Sequence, residues 1–213
     1  MIDGPWRLQA RPGASARAVA PGTRELGSGA LLQVPETEGP WPLVVLFHGA
    51  RSSARAGLAL LPAAGVALLA PQSAGSTWDM IERGFGPDVQ RLDSALASVF
   101  ATCPIDPERV ALGGFSDGAS YALSLGLANG DLVTHIAAFS PGFVAAPEPL
   151  GRPRIFVTHG TADQVLPIER CGRTVVRRLR GAGYDVTYEE FEGGHVVAHA
   201  DRAVAWLSAG RGA

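Results

Sequence analysis

Three short stretches carry residues whose types and spacing can do acyl-transfer chemistry. Gly114-Phe115-Ser116-Asp117-Gly118 sets one serine between two glycines, directly after the apolar run 110–112 and directly before an Ala- and Leu-rich segment. His159-Gly160-Thr161-Ala162-Asp163 places a carboxylate just past the apolar run 154–158. Glu192-Gly193-Gly194-His195 places an imidazole just past the run 185–191. A serine on a sharp strand-to-helix turn projects its Oγ outward, and small residues two positions before and after let strand and helix approach. That is the nucleophile elbow, G-x-S-x-G. Five residues alone are a weak signal, because Gly and Ser are common. The strand before and the helix after make Ser116 a nucleophile rather than a turn residue.

A serine hydroxyl is a poor nucleophile at neutral pH and needs a general base. The histidines are His48, His135, His159, His195 and His199. On an elbow of this kind the chain order is serine, acid, histidine. His195, in a glycine-rich loop after the last strand, is therefore preferred to His199, which reads as a surface residue one turn into the next helix. Asp163 is the acid that would hold the imidazole tautomer and stabilise the imidazolium. Glu169 reads as a helix-opening carboxylate, favoured there by the dipole. His159 reads as structural, and His48 as a hydrogen-bonding residue that shapes its loop.

An acyl-transfer site also needs an oxyanion hole, normally two backbone N–H donors. Asp117, after the nucleophile, supplies one; Ala50, in the His48-Gly49-Ala50 turn after the run 43–47, supplies the other. Trp78, Phe143 and Leu166 follow strand ends and are candidates for the substrate-cleft wall, with core or loop packing the alternative for each. Asp79 reads as a loop-tying acceptor. The Asp117 carboxylate, adjacent to the nucleophile, is expected to be tied back by an arginine such as Arg51.

These residues need a scaffold that brings strand ends together. Apolar runs of strand length occupy 30–34, 43–47, 66–70, 109–115, 135–139, 154–158 and 185–191, and several are continuously apolar, as in strands covered on both faces. Helical segments are predicted over 54–63, 87–103, 117–128, 167–181 and 196–208. In the second, Val89, Leu92, Leu96, Val99 and Phe100 recur at helical spacing, and Pro87 suits a first turn. The alternation predicts an α/β chain with a mostly parallel sheet and helices on both faces. Ligands bind such sheets beyond the carboxyl ends of the strands, where Ser116, Asp163 and His195 all fall. Residues 1–29, without periodicity, read as an irregular arm with an edge strand; 30–213 read as the catalytic domain.

Bulk properties narrow the function classes. The 213 residues are 46% apolar, enough for a sizeable core. The net charge of −2 offers no footprint for nucleic acid. All 18 basic residues are arginine, which excludes Schiff-base and Ser-Lys chemistry. Four of them, in 173–180, read as the solvated face of a helix that turns Val175, Val176 and Leu179 inward. Cys103 and Cys171 lack zinc or redox spacing and read as free thiols, with a disulfide left open. No apolar run approaches the ~18 residues of a membrane span, and the N-terminus lacks a signal-peptide apolar region. A cytoplasmic protein is expected, unless a leader was removed.

The segments HGAR, GGFSDGAS, SPGF, HGTADQVLP and EGGH together resemble the phospholipase/carboxylesterase branch of the α/β-hydrolase superfamily, close to its dienelactone-hydrolase-like and small esterase members, over roughly residues 30–208. The resemblance implies a cofactor-free serine hydrolase of carboxylic esters, with Ser116, Asp163 and His195 as triad. Two departures stand out. Many relatives carry Gln or Met where this chain has Asp117, and many continue the oxyanion loop with glycines where this chain has Arg51, Ser52 and Ser53. Backbone donors survive both changes. The connection 140–153 is too short and proline-rich for a helical lid, so no cap domain is expected and the substrate would be a small short-chain ester. A polyester or lysophospholipid hydrolase with the same triad is the alternative within enzymes. A non-catalytic binding protein on the same fold is the alternative of another class.

Overall fold

The computed structural model describes residues 4–13 and 19–208. Residues 1–3 and 14–18 of the expected arm, and 209–213 of the expected domain, lie outside them. Eight strands form one sheet: β1 Gly22–Glu25, β2 Leu31–Val34, β3 Trp41–Phe47, β4 Ala67–Ala70, β5 Ile105–Phe115, β6 His135–Phe139, β7 Arg154–Gly160 and β8 Val186–Phe191. Their order is β1-β2-β4-β3-β5-β6-β7-β8. The pairings from β4 through β8 are parallel, while β2 runs antiparallel to both β1 and β4. The predicted run 30–34 is therefore the antiparallel member beside the edge strand β1.

The period-2 geometry of the strands divides the core in two. On β3, Leu43, Val45 and Phe47 point to one cluster, which also holds Val89, Leu92, Leu96, Val99 and Phe100 of α3 (Pro87–Thr102). The same cluster takes Tyr121, Leu123 and Leu125 of α4 (Asp117–Ala128), and Val175, Val176 and Leu179 of α5 (Gly172–Gly181). Val44 and Leu46 point the other way, to Ala203, Val204 and Leu207 of α6 (Ala200–Ser208) and to Leu58 at the end of α1 (Ala54–Leu58). Both faces are thus covered, which is why β3, β4 and β6 are buried throughout. A four-residue turn, α2 (Asp79–Glu82), precedes α3.

Three helix boundaries differ from the sequence reading. α1 stops at Leu58 rather than 63, because Leu61 precedes Pro62 and a residue before proline is steered out of the helical region. α5 opens at Gly172, so Glu169 lies in the turn before it and pairs with Arg173. α6 opens at Ala200, leaving His199 outside the helix with φ +61°. The arm is irregular over 4–13 but docked. Leu8 is buried, its N–H donates to Asn129 Oδ1 at 2.8 Å, and Asn129 Nδ2 donates to Trp6 O at 2.8 Å. Cys103 and Cys171 are buried and free. Among the described residues, no helix is long and apolar enough to cross a membrane. The 140–153 connection contains no helix, and among the described residues no cap domain is inserted.

Candidate active site

Ser116 sits between β5 and α4 with φ +58° and ψ −120°, a conformation that side-chain-bearing residues rarely adopt. Its N–H donates to Phe139 O of β6 at 3.0 Å, and its carbonyl accepts from Ala119 and Ser120 N–H. The flanking glycines are sterically required. A Cβ on Gly118 would lie 2.6 Å from His48 O, and one on Gly114 would lie 2.8 Å from Phe47 O. Strand, elbow and the loop after β3 therefore pack backbone to backbone.

His195 Nε2 lies 2.9 Å from Ser116 Oγ, and His195 Nδ1 lies 2.7 Å from Asp163 Oδ2. The His195 ring packs against Phe115, the residue before the serine, with centroids 4.7 Å apart. Asp163 is buried, and its Oδ1 accepts from Val165 N–H at 2.9 Å and Leu166 N–H at 2.8 Å. The acid and histidine loops are joined through the main chain: Thr161 N–H donates to Phe191 O and Ala162 N–H to Gly193 O, each at 2.9 Å. The structure thus brings together Ser116, Asp163 and His195, contributed by the ends of β5, β7 and β8. His199 is held elsewhere, with Nδ1 2.6 Å from Glu189 Oε2 on β8.

Electrostatics fit these positions. Burial pushes the Asp163 carboxyl up, but its hydrogen bond to His195 and the Leu166 and Val165 N–H donors together hold it below the usual carboxylate value. It is an anion at neutral pH. His159 lies under it, fully buried, with Nε2 2.8 Å from Leu166 O and 3.3 Å from Asp163 Oδ2. His48 is likewise buried: Nδ1 meets Gly49 O at 2.7 Å, and Nε2 accepts from Ser73 N–H at 3.3 Å. His48 therefore shapes the loop that carries Ala50. Burial lowers both His48 and His159 below the ordinary 6.5, against the raising effect of their carbonyl partners.

Because these folded-state values are depressed, the unfolded chain binds more protons below pH 6.5. The stability contributed by the neutral rings is complete above 6.5 and is lost as pH falls toward their folded values. Asp163 adds a similar loss only below its ordinary 3.8. Urea unfolding followed from pH 8 to pH 5 should show a plateau and then a decline beginning near 6.5, approaching about 1.4 kcal/mol per pH unit per proton taken up. A flat profile to pH 5 would contradict the buried neutral assignment of both rings.

Two placements correct the sequence reading. Trp78 is not a cleft wall: it is 1% exposed, stacks on Tyr121 with centroids 5.1 Å apart, and donates from Nε1 to His48 O at 2.9 Å. An aromatic ring after a strand end reads equally well as wall or floor, and here the apolar floor claims it. Asp117 is tied not by Arg51 but by Thr77, whose Oγ1 donates to Asp117 Oδ2 at 2.7 Å. Arg51 is exposed with φ +55°, and its N–H donates to Ser76 O. Phe143 is 38% exposed, and Leu166 sits on the acid loop against Gly142. Asp79 ties its loop as read, accepting from Gly86 N–H at 2.9 Å and Asp88 N–H at 2.8 Å. Thr77 and Phe115 were missed: neither carries a spacing signature, and only Phe115's place beside the serine offered a clue.

Ala50 lies in the loop after β3, and a Cβ on its neighbour Gly49 would lie 3.6 Å from Ser116 Cβ. Asp117 heads α4, where first-turn N–H groups have no partner within their own helix. Among the described residues, no three His, Cys, Asp or Glu side chains are grouped to hold a metal ion.

Comparison with known proteins finds relatives of the same fold and family. An esterase, PE8, has a crystal structure that superposes with a TM-score of 0.66 at 26% identity, covering 86% of this chain and 98% of that one. TT1662 from Thermus thermophilus superposes with a TM-score of 0.66 at 23% identity, covering 90% and 100%. Acyl-protein thioesterase 1 of Gibberella zeae is 34% identical over 101 residues, a match that spans 43% of this chain and 43% of that relative. The phospholipase/carboxylesterase profile matches residues 80–201, a stretch that runs from α2 through the elbow and both later loops. The chain belongs to the phospholipase/carboxylesterase family, esterase-type serine hydrolases of the α/β-hydrolase fold.

Proposed function

We propose that this protein is a serine carboxylesterase that hydrolyses short-chain carboxylic esters through an acyl-enzyme. The observation that carries the reading is the unbroken hydrogen-bonded line from Ser116 Oγ through His195 to the buried Asp163 carboxylate. Ser116 Oγ attacks the ester carbonyl as its proton passes to His195 Nε2, and Asp163 stabilises the imidazolium. The Ala50 and Asp117 N–H groups hold the tetrahedral oxyanion. Collapse breaks the ester C–O bond, and the alcohol leaves with the proton from His195. Water then attacks the acyl carbon as its proton passes to His195; the acyl C–Oγ bond breaks, His195 returns that proton to Ser116 Oγ, and the acid is released. No cofactor enters any step.

Substrate size follows from what surrounds the serine. Clefts of about 350 Å³ at residues 74–88 and about 540 Å³ between residues 149–152 and Ala182 and Tyr184 include none of Ser116, Asp163 and His195 in their walls. Apolar side chains with exposed surface on the loops that carry the triad include Phe115, Val165, Leu166 and Val196, with Phe143 on the loop after β6. Each buried CH₂ contributes ~0.8 kcal/mol, so gain per carbon ends where this wall ends. Across p-nitrophenyl esters from acetate to palmitate, kcat/KM should peak at about two to six acyl carbons. Val165 and Val196, more than half exposed beside the acid and the base, favour one second reading, a longer lipid-like acyl chain. A maximum at twelve carbons or beyond would select it. No turnover of any ester in the series would favour a binding protein.

A further inference from the structure

Asp117 poses a problem for the proposed reaction. Its carboxylate stands beside the nucleophile at the head of α4, where free N–H groups and the positive helix end attract anions. The oxyanion needs the same donors. A carboxylate free to rotate there is an internal competitor for them and repels the charge that develops.

We infer that Thr77 is a positioning residue for this site, its hydroxyl holding the Asp117 carboxylate away from the N–H donors that serve the oxyanion. The inference rests on the serine-esterase reading and adds a residue to it. Thr77 Oγ1 donates to Asp117 Oδ2 at 2.7 Å, the length of a charge-assisted bond. Thr77 is 8% exposed, so water competes little for either partner. Its neighbours fix it on both sides. Ser76 O accepts Arg51 N–H at 2.6 Å, and Trp78 Nε1 donates to His48 O at 2.9 Å. Residues 76, 77 and 78 therefore fasten, in succession, the loop that carries Ala50, the carboxylate beside Ser116, and the loop again. Trp78 in turn stacks on Tyr121, which lies on α4 with Asp117. Donor, acceptor and oxyanion loop share one frame.

The alternative is that Thr77 only fills space, and its two branches separate the cases. Thr77→Val keeps the shape and removes the hydroxyl; Thr77→Ser keeps the hydroxyl and removes the methyl. With p-nitrophenyl acetate and the full chain, Thr77→Val should lower kcat about 10- to 100-fold with KM within about threefold, while Thr77→Ser stays near wild type. The double variant Thr77→Val/Asp117→Asn should return to the rate of Asp117→Asn alone, since no carboxylate remains to be held. Thermal melting of each variant identifies one that has merely unfolded, and the double variant then decides. A Thr77→Val enzyme as fast as wild type, a Thr77→Ser enzyme as slow as Thr77→Val, or a double variant as slow as Thr77→Val would each overturn the role. An active wild type with any of these results removes Thr77 alone; a wild type without turnover removes the esterase reading and this inference together.

Discussion

Ser116→Ala is expected to lose ester turnover by about 10³- to 10⁶-fold and to lose all labelling by a fluorophosphonate probe. Ser116 Oγ is the atom placed 2.9 Å from His195 Nε2, and among the described residues no other hydroxyl shares that imidazole nitrogen. The residual rate would come from binding and the backbone donors, which alanine leaves in place. The loss should not be a folding defect. Alanine keeps the Cβ and the main-chain bonds to Phe139, Ala119 and Ser120, so the melting temperature should stay close to wild type. Mapping the adduct in the wild-type protein should return the peptide that contains Ser116. Undiminished turnover in Ser116→Ala would end the serine-esterase proposal.

The acid and base should be separable from their neighbours by substitution. Asp163→Asn should cost on the order of 10⁴-fold in kcat with the fold intact. Asparagine can keep its Oδ1 on the Val165 and Leu166 N–H groups while its amide faces His195 Nδ1. That amide donates where the carboxylate accepts, so the ring takes the tautomer with its proton on Nε2 and cannot accept from Ser116. His195→Ala should cost at least as much, about 10⁴- to 10⁶-fold. His199→Ala and Glu169→Gln should stay within about threefold of wild type, because these groups bind Glu189 and Arg173 at a remove from the serine. An inactive His199→Ala beside an active His195→Ala would reverse the assignment of the last loop.

What could be read from the sequence is what chain geometry forces. Ser116, Asp163 and His195 each follow an apolar strand run, and a parallel sheet carries such positions to one edge, so their proximity was implied by pattern alone. The covered faces were legible too: continuous apolar runs such as 43–47 have no place except between helix layers. Side-chain choices made by tertiary packing were less legible. Trp78 took the floor because Phe47 and Tyr121 offered it rings. Asp117 found Thr77 rather than Arg51 because the 76–78 segment was already fastened beside it. His199 reads as helical in Val-Val-Ala-His-Ala, yet a positive φ turns it out toward Glu189. Strand direction at β2 was also invisible, since a short strand of mixed burial looks the same in either sense.

The distances along the chain between the three side chains have a consequence for how activity is acquired. Ser116 and His195 are 79 residues apart, and Asp163 and His195 are 32 apart. A chain emerging from the ribosome could fold the elbow and the acid loop while its base was still unmade. The main-chain bonds from Thr161 and Ala162 to Phe191 and Gly193 form only when β8 docks on β7, at the far edge of the sheet. Non-local pairing of this kind is late and slow compared with helix formation. Ester hydrolysis during refolding would thus report the docking of β8 on β7 and the placing of the loop after it. Helix content could recover fully, by circular dichroism, in a population that remains silent toward substrate.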